Sequence, residues 1–314
     1  MSFVLINPKR VRHPVKKSTE SKAILDALNN YIDDNLNEPM RWLARIWKEQ
    51  SNDFSYQDLR SIVTDETDPQ AIYDKWFQDY AEWVKEKMTD LWEQGFIAGA
   101  KNNPWVAGLG EAFSFNTSST NVREWIVNHG ADLVTRVTDD QVDALRYIIA
   151  ECRSQGMGSL ETARYIRPLV GLTQRQSAAN LRFYQNFKET MKKDHPRMTD
   201  ESIERKARTA AARYAERQQR YRAQMIARTE NAYAYNRGND EAIRQAQAQG
   251  LLPHLTPVWT TAEDEHVCPV CDDLDGKAIG SDGEFRTNYH DREYTCALPP
   301  MHPNCKCCVE YRED

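Results

Sequence analysis

The sequence lacks the features that would direct it out of the cytoplasm or into a membrane. Its opening residues, MSFVLINPKR, have no charged start followed by an apolar run of signal-peptide length. No uninterrupted apolar stretch along the chain is long enough to cross a bilayer. We therefore expect a protein with no membrane contact, located in the cytoplasm or in an assembly formed there.

Cysteine is nearly absent from most of the chain. The first 267 residues contain only Cys152, and the last 47 residues contain the other six of the seven cysteines. Cys152 lies on the apolar face of a predicted helix, beside Val142, Leu145 and Ile149, so we expect a buried and unreactive thiol. Because the cytoplasm is reducing, the six late cysteines are better interpreted as metal ligands than as disulfides.

Long hydrophobic runs are also scarce. Hydrophobic residues make up 40% of the chain and charged residues 28%, and the mean hydropathy is -0.76. This balance is typical of long helices whose outer faces meet solvent. Eight Trp and fourteen Tyr supply apolar surface to bury, which excludes disorder throughout the chain. The pattern predicts a mainly α fold with an elongated helical body.

Changes in composition divide the chain into four predicted segments. Residues 1–22 hold six basic residues against one acidic residue, together with two prolines, and are predicted to form a flexible basic tail. Residues 23–118 are predicted to be a helical region that ends in a linker rich in Gly, Ser and Asn. Residues 119–250 are predicted to be a helical domain with a long basic helix, and residues 251–314 a small α+β module.

Start signals and glycines predict where the later helices begin and end. Three residue pairs have the capping-box spacing, in which each side chain hydrogen-bonds the other residue's backbone amide: Asn121 with Glu124, Thr138 with Gln141, and Thr173 with Gln176. Gly130, Gly156 and Gly171 lie between these segments. A long helix is predicted from Thr199 toward Gly250, with Gly238 as a candidate interruption. Short strands are predicted at residues 258–261 and 308–311.

A Cys-x-x-Cys pair is followed, after thirty residues, by a His-x-x-Cys pair. Cys268 and Cys271 can direct two thiolates at one ion from a tight turn, and His302 and Cys305 have the same spacing. The connecting segment is long enough to bring the two pairs together. Four such ligands without a carboxylate suit tetrahedral zinc, and a closed set of four leaves no position for water. The sequence therefore predicts a structural zinc ion that stabilises the C-terminal module.

The remaining late cysteines leave the ligand set open. Cys307 follows Cys305 by two residues and, on an extended segment, could replace either Cys305 or His302. Cys308 would then point the opposite way, into a small core. Cys296 is interpreted either as a ligand or as a buried thiol. Cys307 and Cys296 are therefore alternate metal ligands.

Positive charge is concentrated locally, although the whole chain has a formal net charge of -6. Residues 182–228 contain thirteen Lys and Arg against six Asp and Glu. Such a stretch can contact DNA phosphates without sequence preference, can dock on an acidic partner, or can be a solvated helix face. The candidate residues for DNA or partner contact are Lys9, Arg10, Arg12, Lys16, Lys17, Arg213, Arg217 and Arg220.

Four stretches of the sequence together carry a resemblance to a known family. They are GLTQRQ at 171–176, MIARTENAYAYNRG at 225–238, WTTAEDEHVCPVCDDLDG at 259–276 and PPMHPNCKC at 299–307. In these stretches, and in their order, the chain resembles the phage Mu F-like head morphogenesis family, the minor head proteins of tailed bacteriophages. The last two stretches are specific. In the second, Arg228 and Glu230 are interpreted as a buried pair that fixes how the helix meets the module.

The resemblance implies a minor structural protein of the virion, bound at the portal vertex of the phage head and acting in prohead assembly, DNA packaging or DNA delivery. It implies the portal protein as a partner. The major capsid or scaffold protein and the packaged double-stranded DNA are further candidate partners. Assembly is expected in the host bacterial cytoplasm, and no catalytic residue is predicted.

The alternative hypothesis is an enzyme, either a metal-dependent nuclease or another zinc-dependent nucleic-acid enzyme. A nuclease would use His290 or His302 as its base, but His302 is already a predicted metal ligand. The zinc-deaminase signature fails, because the tripeptide that begins at His266 lacks the required Glu. We therefore predict that the protein is not an enzyme. Four acidic residues near the CPVC pair are interpreted as turn residues rather than as ligands of a second metal: Asp264, Asp272, Asp273 and Asp275.

Overall fold

A computed structural model of the chain describes residues 19–52, 55–64, 70–262 and 267–313. The structure is 71% helical with a small strand region near the C-terminus, which confirms the predicted mainly α class. Residues 1–18 of the predicted basic tail lie outside the described residues, and Thr19 begins the first helix.

The helices and strands of the described chain follow one another in a simple order. The helices are α1 (Thr19–Asp34), α2 (Asn37–Asn52), α3 (Tyr56–Val63), α4 (Gln70–Trp83), α5 (Thr89–Lys101), α6 (Pro104–Ala107), α7 (Thr120–Ser154), α8 (Ser159–Ile166), α9 (Gln174–Asp194), α10 (Asp200–Ala248) and α11 (Pro269–Leu274). The strands are β1 (Leu255–Thr260), β2 (Phe285–Tyr289), β3 (Arg292–Cys296) and β4 (Cys308–Glu313). A π-helical turn at Val84–Met88 joins α4 to α5, and a 3-10 turn at Arg167–Leu169 follows α8.

Helix α7 is continuous through two positions where the sequence predicts a boundary. Gly130 and the Thr138 start signal both lie inside it. Thr138 Oγ1 donates to Val134 O, one turn earlier, at 2.8 Å and therefore does not cap a helix. Gln141 donates to Gln50 Oε1 and accepts from Tyr80 Oη, both buried. These two predictions are wrong: Thr138 bonds within its own helix, and tertiary hydrogen bonds occupy Gln141, the other residue of its signal.

Other predicted helix boundaries are confirmed. Helix α7 begins at Thr120, one residue before Asn121, but the predicted capping box of Asn121 is wrong: Ser119 Oγ accepts from Val122 N, and Asn121 Nδ2 donates to Glu241 Oε2. Helix α9 follows Thr173, which forms the predicted capping box with Gln176. Helix α10 begins at Asp200, one residue after the predicted start, and ends at Ala248. The candidate interruption at Gly238 is wrong, because α10 passes through that residue.

The chain forms two compact units, each built from separate segments. Unit 1 comprises the described residues of Met1–Pro39, Lys87–Asn128 and Met225–Asp314, and unit 2 those of Met40–Glu86 and His129–Gln224. Helices α7 and α10 therefore contribute residues to both units. The predicted boundaries after residues 22, 118 and 250 remain predictions.

Unit 2 has a helical core to which α3, α4, α7, α8, α9 and α10 contribute side chains. The core includes Trp76 from α4, Leu181 from α9 and a row of alanines on α10 that allows close packing: Ala207, Ala211 and Ala215. Cys152 is fully buried in this core, and burial raises the pKa of its thiol to about 12. The prediction that Cys152 is buried is confirmed.

Unit 1 contains two antiparallel strand pairs. Strands β1 and β4 pair from Leu255 opposite Glu313 to Thr260 opposite Cys308, which confirms the two predicted strands. Strands β2 and β3 form a hairpin whose two turn residues, His290 and Asp291, have φ of 50° and 56°. Positive φ at both central residues gives the turn a twist that matches the strands.

Glycines allow α5 and α10 to pack backbone against backbone within unit 1. A Cβ on Gly99 would lie 2.0 Å from Tyr235 O, and a Cβ on Gly238 would lie 2.2 Å from Phe96 O. Only a residue without a side chain fits at these positions. Gly238 therefore serves a helix crossing inside an unbroken helix.

Candidate metal centre

The CPVC pair is arranged by the start of α11. Cys268 is the N-cap, with extended backbone dihedrals of φ -77° and ψ 154°, and Pro269 stands in the first turn, where its missing N–H costs no hydrogen bond. Cys268 Sγ accepts from Cys271 N at 3.4 Å. The capping geometry holds both sulfurs on one side of the turn.

The HPNC pair is arranged by a tight turn. Cys305 N donates to His302 O at 3.1 Å, and Asn304 has a φ of 62°. Proline at the second position and a positive φ at the third are the features of a type II turn. His302 Nδ1 lies 2.9 Å from Pro303 O, to which it can donate, so that Nε2 is directed away from its own backbone.

The fold brings the two pairs together. His302 Nε2 lies 3.0 Å from Cys268 Sγ and 3.2 Å from Cys271 Sγ. Cys271 Sγ lies 3.7 Å from Cys305 Sγ. Cys271 therefore lies close to a donor of each end of the HPNC pair, and the three cysteines are buried.

Cys307 joins this cluster, whereas Cys296 does not belong to either close group of donor atoms. The donor atoms of Cys268, Cys271 and His302 lie within 4.8 Å of one another, as do those of Cys271, Cys305 and Cys307. Cys271 is common to both groups. Cys296 is half-buried at the end of β3, and burial raises the pKa of its thiol.

Cys308 faces away from the cluster. It is fully buried in an apolar group with Ile24, Leu28 and Tyr235, from α1 and α10. This confirms the prediction that Cys308 points opposite to Cys307 and into a small core.

Close contacts among the sulfur and imidazole groups of the cluster shift their pKa values. Hydrogen bonds from Cys271 and His302 outweigh burial and lower the pKa of Cys268 to about 5. Burial alone would lower the pKa of His302, but the neighbouring Cys305 and Cys268 sulfurs raise it to about 9. Burial raises the pKa of Cys305, yet hydrogen bonds from Cys271 and Cys307 bring it well below its usual range. These shifts favour the thiolate form of Cys268 and Cys305, which is the form that binds a metal ion.

The donor set fits zinc. In tetrahedral coordination with zinc–sulfur bonds of about 2.3 Å, two thiolates lie about 3.8 Å apart. The sulfurs of Cys271 and Cys305 have almost this separation, at 3.7 Å. The contact of His302 Nδ1 with a backbone carbonyl is the outer interaction that commonly orients a metal-binding histidine. Sulfur and imidazole donors without a carboxylate are typical of structural zinc sites.

Helix α10 supports the cluster from the MIARTENAYAYNRG stretch. Thr229 Oγ1 accepts from Asn304 N at 3.1 Å, in the middle of the HPNC turn. Arg228, which the sequence predicts to pair with Glu230, forms an ion pair with Asp33 of α1 at 2.9 Å. Thr229 of this motif therefore contacts the HPNC turn.

Side chains also satisfy the outer edge of β4. Asn236 Nδ2 donates to Cys307 O and Asn239 Nδ2 to Val309 O, each at 3.3 Å, and Trp105 Nε1 donates to Tyr311 O at 2.9 Å. An edge strand otherwise presents unpaired carbonyl groups. Sequence reasoning missed Thr229, Asn236 and Asn239. The available signal was the spacing of the two asparagines, three residues apart on one helix face.

The family model described as Phage Mu protein F like protein matches residues 149–310. The chain belongs to this family. The match covers all four resembling stretches and the whole Cys/His cluster, and the family is one of phage structural and morphogenesis proteins. No curated protein and no solved structure matches the sequence.

The residues that the enzyme hypothesis considers, as far as the structure describes them, lie in turns or at the surface. His290 is an exposed turn residue of the β2–β3 hairpin, packed on Tyr289 with ring centroids 4.2 Å apart. Asp273 accepts from Thr287 Oγ1 and Lys277 Nζ, and Asp275 accepts from Thr261 N. Asp272 is exposed, and Asp264 lies outside the described residues. The acidic residues described near the CPVC pair thus stabilise turns or face solvent.

The predicted contact residues fall in two places. Arg213, Arg217 and Arg220 are exposed on α10, and Arg217 lies over the ring of Tyr214 at 5.4 Å. The tail residues lie outside the described residues: Lys9, Arg10, Arg12, Lys16 and Lys17. In the part of the chain that is described, no helix is both long and apolar enough to span a membrane.

Proposed function

We propose that the protein is a minor structural protein of a bacteriophage head, bound at the portal vertex and acting in prohead assembly, DNA packaging or DNA delivery. Its family of phage structural and morphogenesis proteins supports this role. The portal protein is the main proposed partner. The major capsid or scaffold protein and the packaged double-stranded DNA are further proposed partners.

The C-terminal cluster is proposed to hold a structural zinc ion. The observation that carries this proposal is the position of Cys271, which lies 3.2 Å from His302 Nε2 and 3.7 Å from Cys305 Sγ, so that two distant sequence pairs share one site. Cys268, Cys271, His302 and Cys305 would hold the ion, with Cys307 as the alternative fourth ligand. A bound ion would crosslink α11 to the HPNC turn and contribute on the order of 10 kcal/mol to folding.

The support given by α10 favours an architectural role for this crosslink. Thr229 anchors the HPNC turn, while Asn236 and Asn239 anchor the strand that follows it. Fixing the turn therefore fixes the strand pair of β1 and β4 on the same helix within unit 1. The exposed arginines of α10 and the basic residues before Thr19 are the proposed contacts for DNA or for an acidic partner.

Analysis of purified proheads and mature particles tests this function. We expect the protein to be present in both and to co-purify with the portal protein after the head is disrupted. Phage carrying Cys268→Ala should give fewer infectious particles, because the module loses its crosslink. Phage carrying His290→Ala should keep near-normal infectivity, because this side chain is exposed and outside the cluster. Absence of the protein from all particles would contradict the proposal.

The enzyme alternative makes a different prediction. A nuclease would nick DNA in the presence of zinc or magnesium, and the activity would disappear in the His290→Ala variant without loss of fold. We expect no nicking above the level of a protein-free control. Nicking that follows the protein through purification and depends on His290 would favour the enzyme.

A further inference from the structure

Unit 2 carries an open basic groove that none of the predicted contact residues lines. It has a volume of about 910 Å³ and lies among α2, α3, α8 and α10. Four arginines line it: Arg164, Arg167, Arg205 and Arg208. Arg164 and Arg167 are three residues apart on α8 and the 3-10 turn that follows it, and Arg205 and Arg208 are three residues apart on α10. Each pair therefore lies on one helical turn and faces the same groove.

The positive charge of the groove is only partly compensated. Arg208 Nε lies 3.6 Å from Glu204 Oε1. Arg167 donates to two neutral oxygens, Ser51 O at 2.7 Å and Asn52 Oδ1 at 3.1 Å. None of the described residues that line the groove is acidic.

The two other arginines face the groove without partners among the described residues. Arg164 and Arg205 are exposed, and their side chains form no ion pair or hydrogen bond with the described part of the chain. An uncompensated guanidinium group attracts anions, and several at one place raise the local concentration of a polyanion.

One of the arginines is held in place. The guanidinium of Arg167 lies over the ring of Tyr56, 5.2 Å from its centroid, in addition to its two hydrogen bonds. A fixed guanidinium loses little freedom when it binds an anion, and its planar donor fork matches the oxygens of a phosphate. Tyr56 itself is 46% exposed at the groove.

We propose that this groove binds the phosphodiester backbone of a nucleic acid. Protein contacts to phosphates come mainly from Arg and Lys, with hydroxyl and amide side chains as additional donors. The lining combines four arginines with Asn52, Thr209 and the exposed ring of Tyr56, which a base or sugar can contact. The open shape suits an extended polymer better than an enclosed small molecule.

This inference adds a site to the proposed function and does not draw on the metal centre. The inference rests on the proposed function in one respect only: if the protein lies in a phage head, the nucleic acid that the groove binds there would be the packaged DNA. A binding experiment with the purified chain therefore fails or succeeds independently of where the protein lies in the virion.

Two double variants with the same change in charge test the groove. Arg164→Gln with Arg205→Gln removes two groove charges, and Arg41→Gln with Arg175→Gln removes two exposed charges of unit 2 that neither line the groove nor are proposed contacts. All four side chains are exposed, so both variants should keep the wild-type melting temperature. Binding to labelled duplex DNA, single-stranded DNA and RNA is measured by fluorescence anisotropy across a salt series.

We expect the groove variant to bind on the order of tenfold more weakly and to lower the slope of log Kd against log salt by about 2, one for each lost phosphate contact. The control variant should retain the wild-type slope. The preferred probe among the three identifies the form of nucleic acid. Equal losses in both variants, or no binding by the wild-type chain, would overturn the proposal. Displacement of the DNA by polyglutamate at equal charge concentration would also overturn it, in favour of an acidic polypeptide.

Discussion

At the scale of single residues, Thr229 links the long helix to the candidate metal centre. Its Oγ1 accepts from Asn304 N and donates to Met225 O at 2.7 Å. Asn304 stands between His302 and Cys305, so this bond fixes the orientation of the peptide between two candidate ligands. Thr229 is thus a positioning residue for the turn that carries two candidate ligands.

Replacing Thr229 with Val keeps the shape of the side chain and removes both hydrogen bonds. We expect a loss of about 1 to 2 kcal/mol in the free energy of unfolding, because the part-buried Asn304 N–H loses its acceptor. Hydrogen exchange at the Asn304 amide should become faster.

Thr209→Val is the matched control for this variant. Thr209 is exposed on the same helix and donates to Arg205 O, four residues earlier, at 2.9 Å, so the change removes the same kind of local bond. Its cost should stay within about 0.5 kcal/mol. Equal costs for the two variants would show that the contact with Asn304 contributes nothing.

Single-ligand variants distinguish His302 from Cys307 as the fourth ligand. His302 faces two sulfurs and has its other ring nitrogen beside a carbonyl, so we expect His302→Ala to weaken zinc binding on the order of a hundredfold. Cys307→Ala should weaken it less, and Cys296→Ala, outside both donor groups, should leave it nearly unchanged. Competition with a chromophoric chelator measures these affinities. A larger effect of Cys307→Ala than of His302→Ala would assign a four-cysteine site instead.

The placement of the two donors of each candidate pair on one turn can be predicted from the sequence because it is local. A two-residue spacing places both donors on one turn whatever the rest of the chain does. Strand periodicity likewise places Cys307 and Cys308 on opposite faces, as observed. The choice between His302 and Cys307, and the position of Cys296, depend on the path of residues 296–308, which local spacing does not contain.

At the scale of elements, the sequence predicts helices better than it predicts their limits. The capping box at Thr173 marks a real start, whereas the same spacing at Thr138 lies inside α7. The two differ in their tertiary surroundings, since Gln141 bonds Gln50 and Tyr80 instead of its own helix terminus. The β2–β3 hairpin was missed because its turn uses His290 and Asp291 in place of the Asn and Gly that normally signal positive φ.

Gly238→Ala tests the crossing of α5 and α10. In an ordinary helix interior this change is stabilising by about 0.5 to 1 kcal/mol. Here the new Cβ would meet Phe96 O at 2.2 Å, so we expect a destabilisation of about 1 to 3 kcal/mol, measured by chemical denaturation.

Gly108→Ala provides the comparison in the same unit. Gly108 has right-handed helical dihedrals, with φ -66° and ψ -20°, and its nearest neighbours to a new Cβ lie at 3.4 Å. The change should be neutral or slightly stabilising, because Ala reduces the freedom of the unfolded chain. If Gly238→Ala proved equally harmless, the backbone contact between the two helices would not be required.

At the scale of the whole molecule, the fold class follows from composition but the arrangement of the chain does not. Each compact unit takes residues from distant parts of the sequence, and α7 and α10 serve both units. Composition changes mark segments along the chain, and they carry no information about which segments pack together. The contacts that decide this, such as those of Asn236 with Cys307, join residues far apart in sequence.

The central claim is that the C-terminal cluster holds a structural metal ion. Elemental analysis of the full-length chain, purified under reducing conditions without chelators, tests it most directly. We expect about one zinc per chain and free thiols at all six late cysteines once the metal is removed. A folded protein without zinc, or one whose clustered cysteines are joined in disulfides, would contradict it.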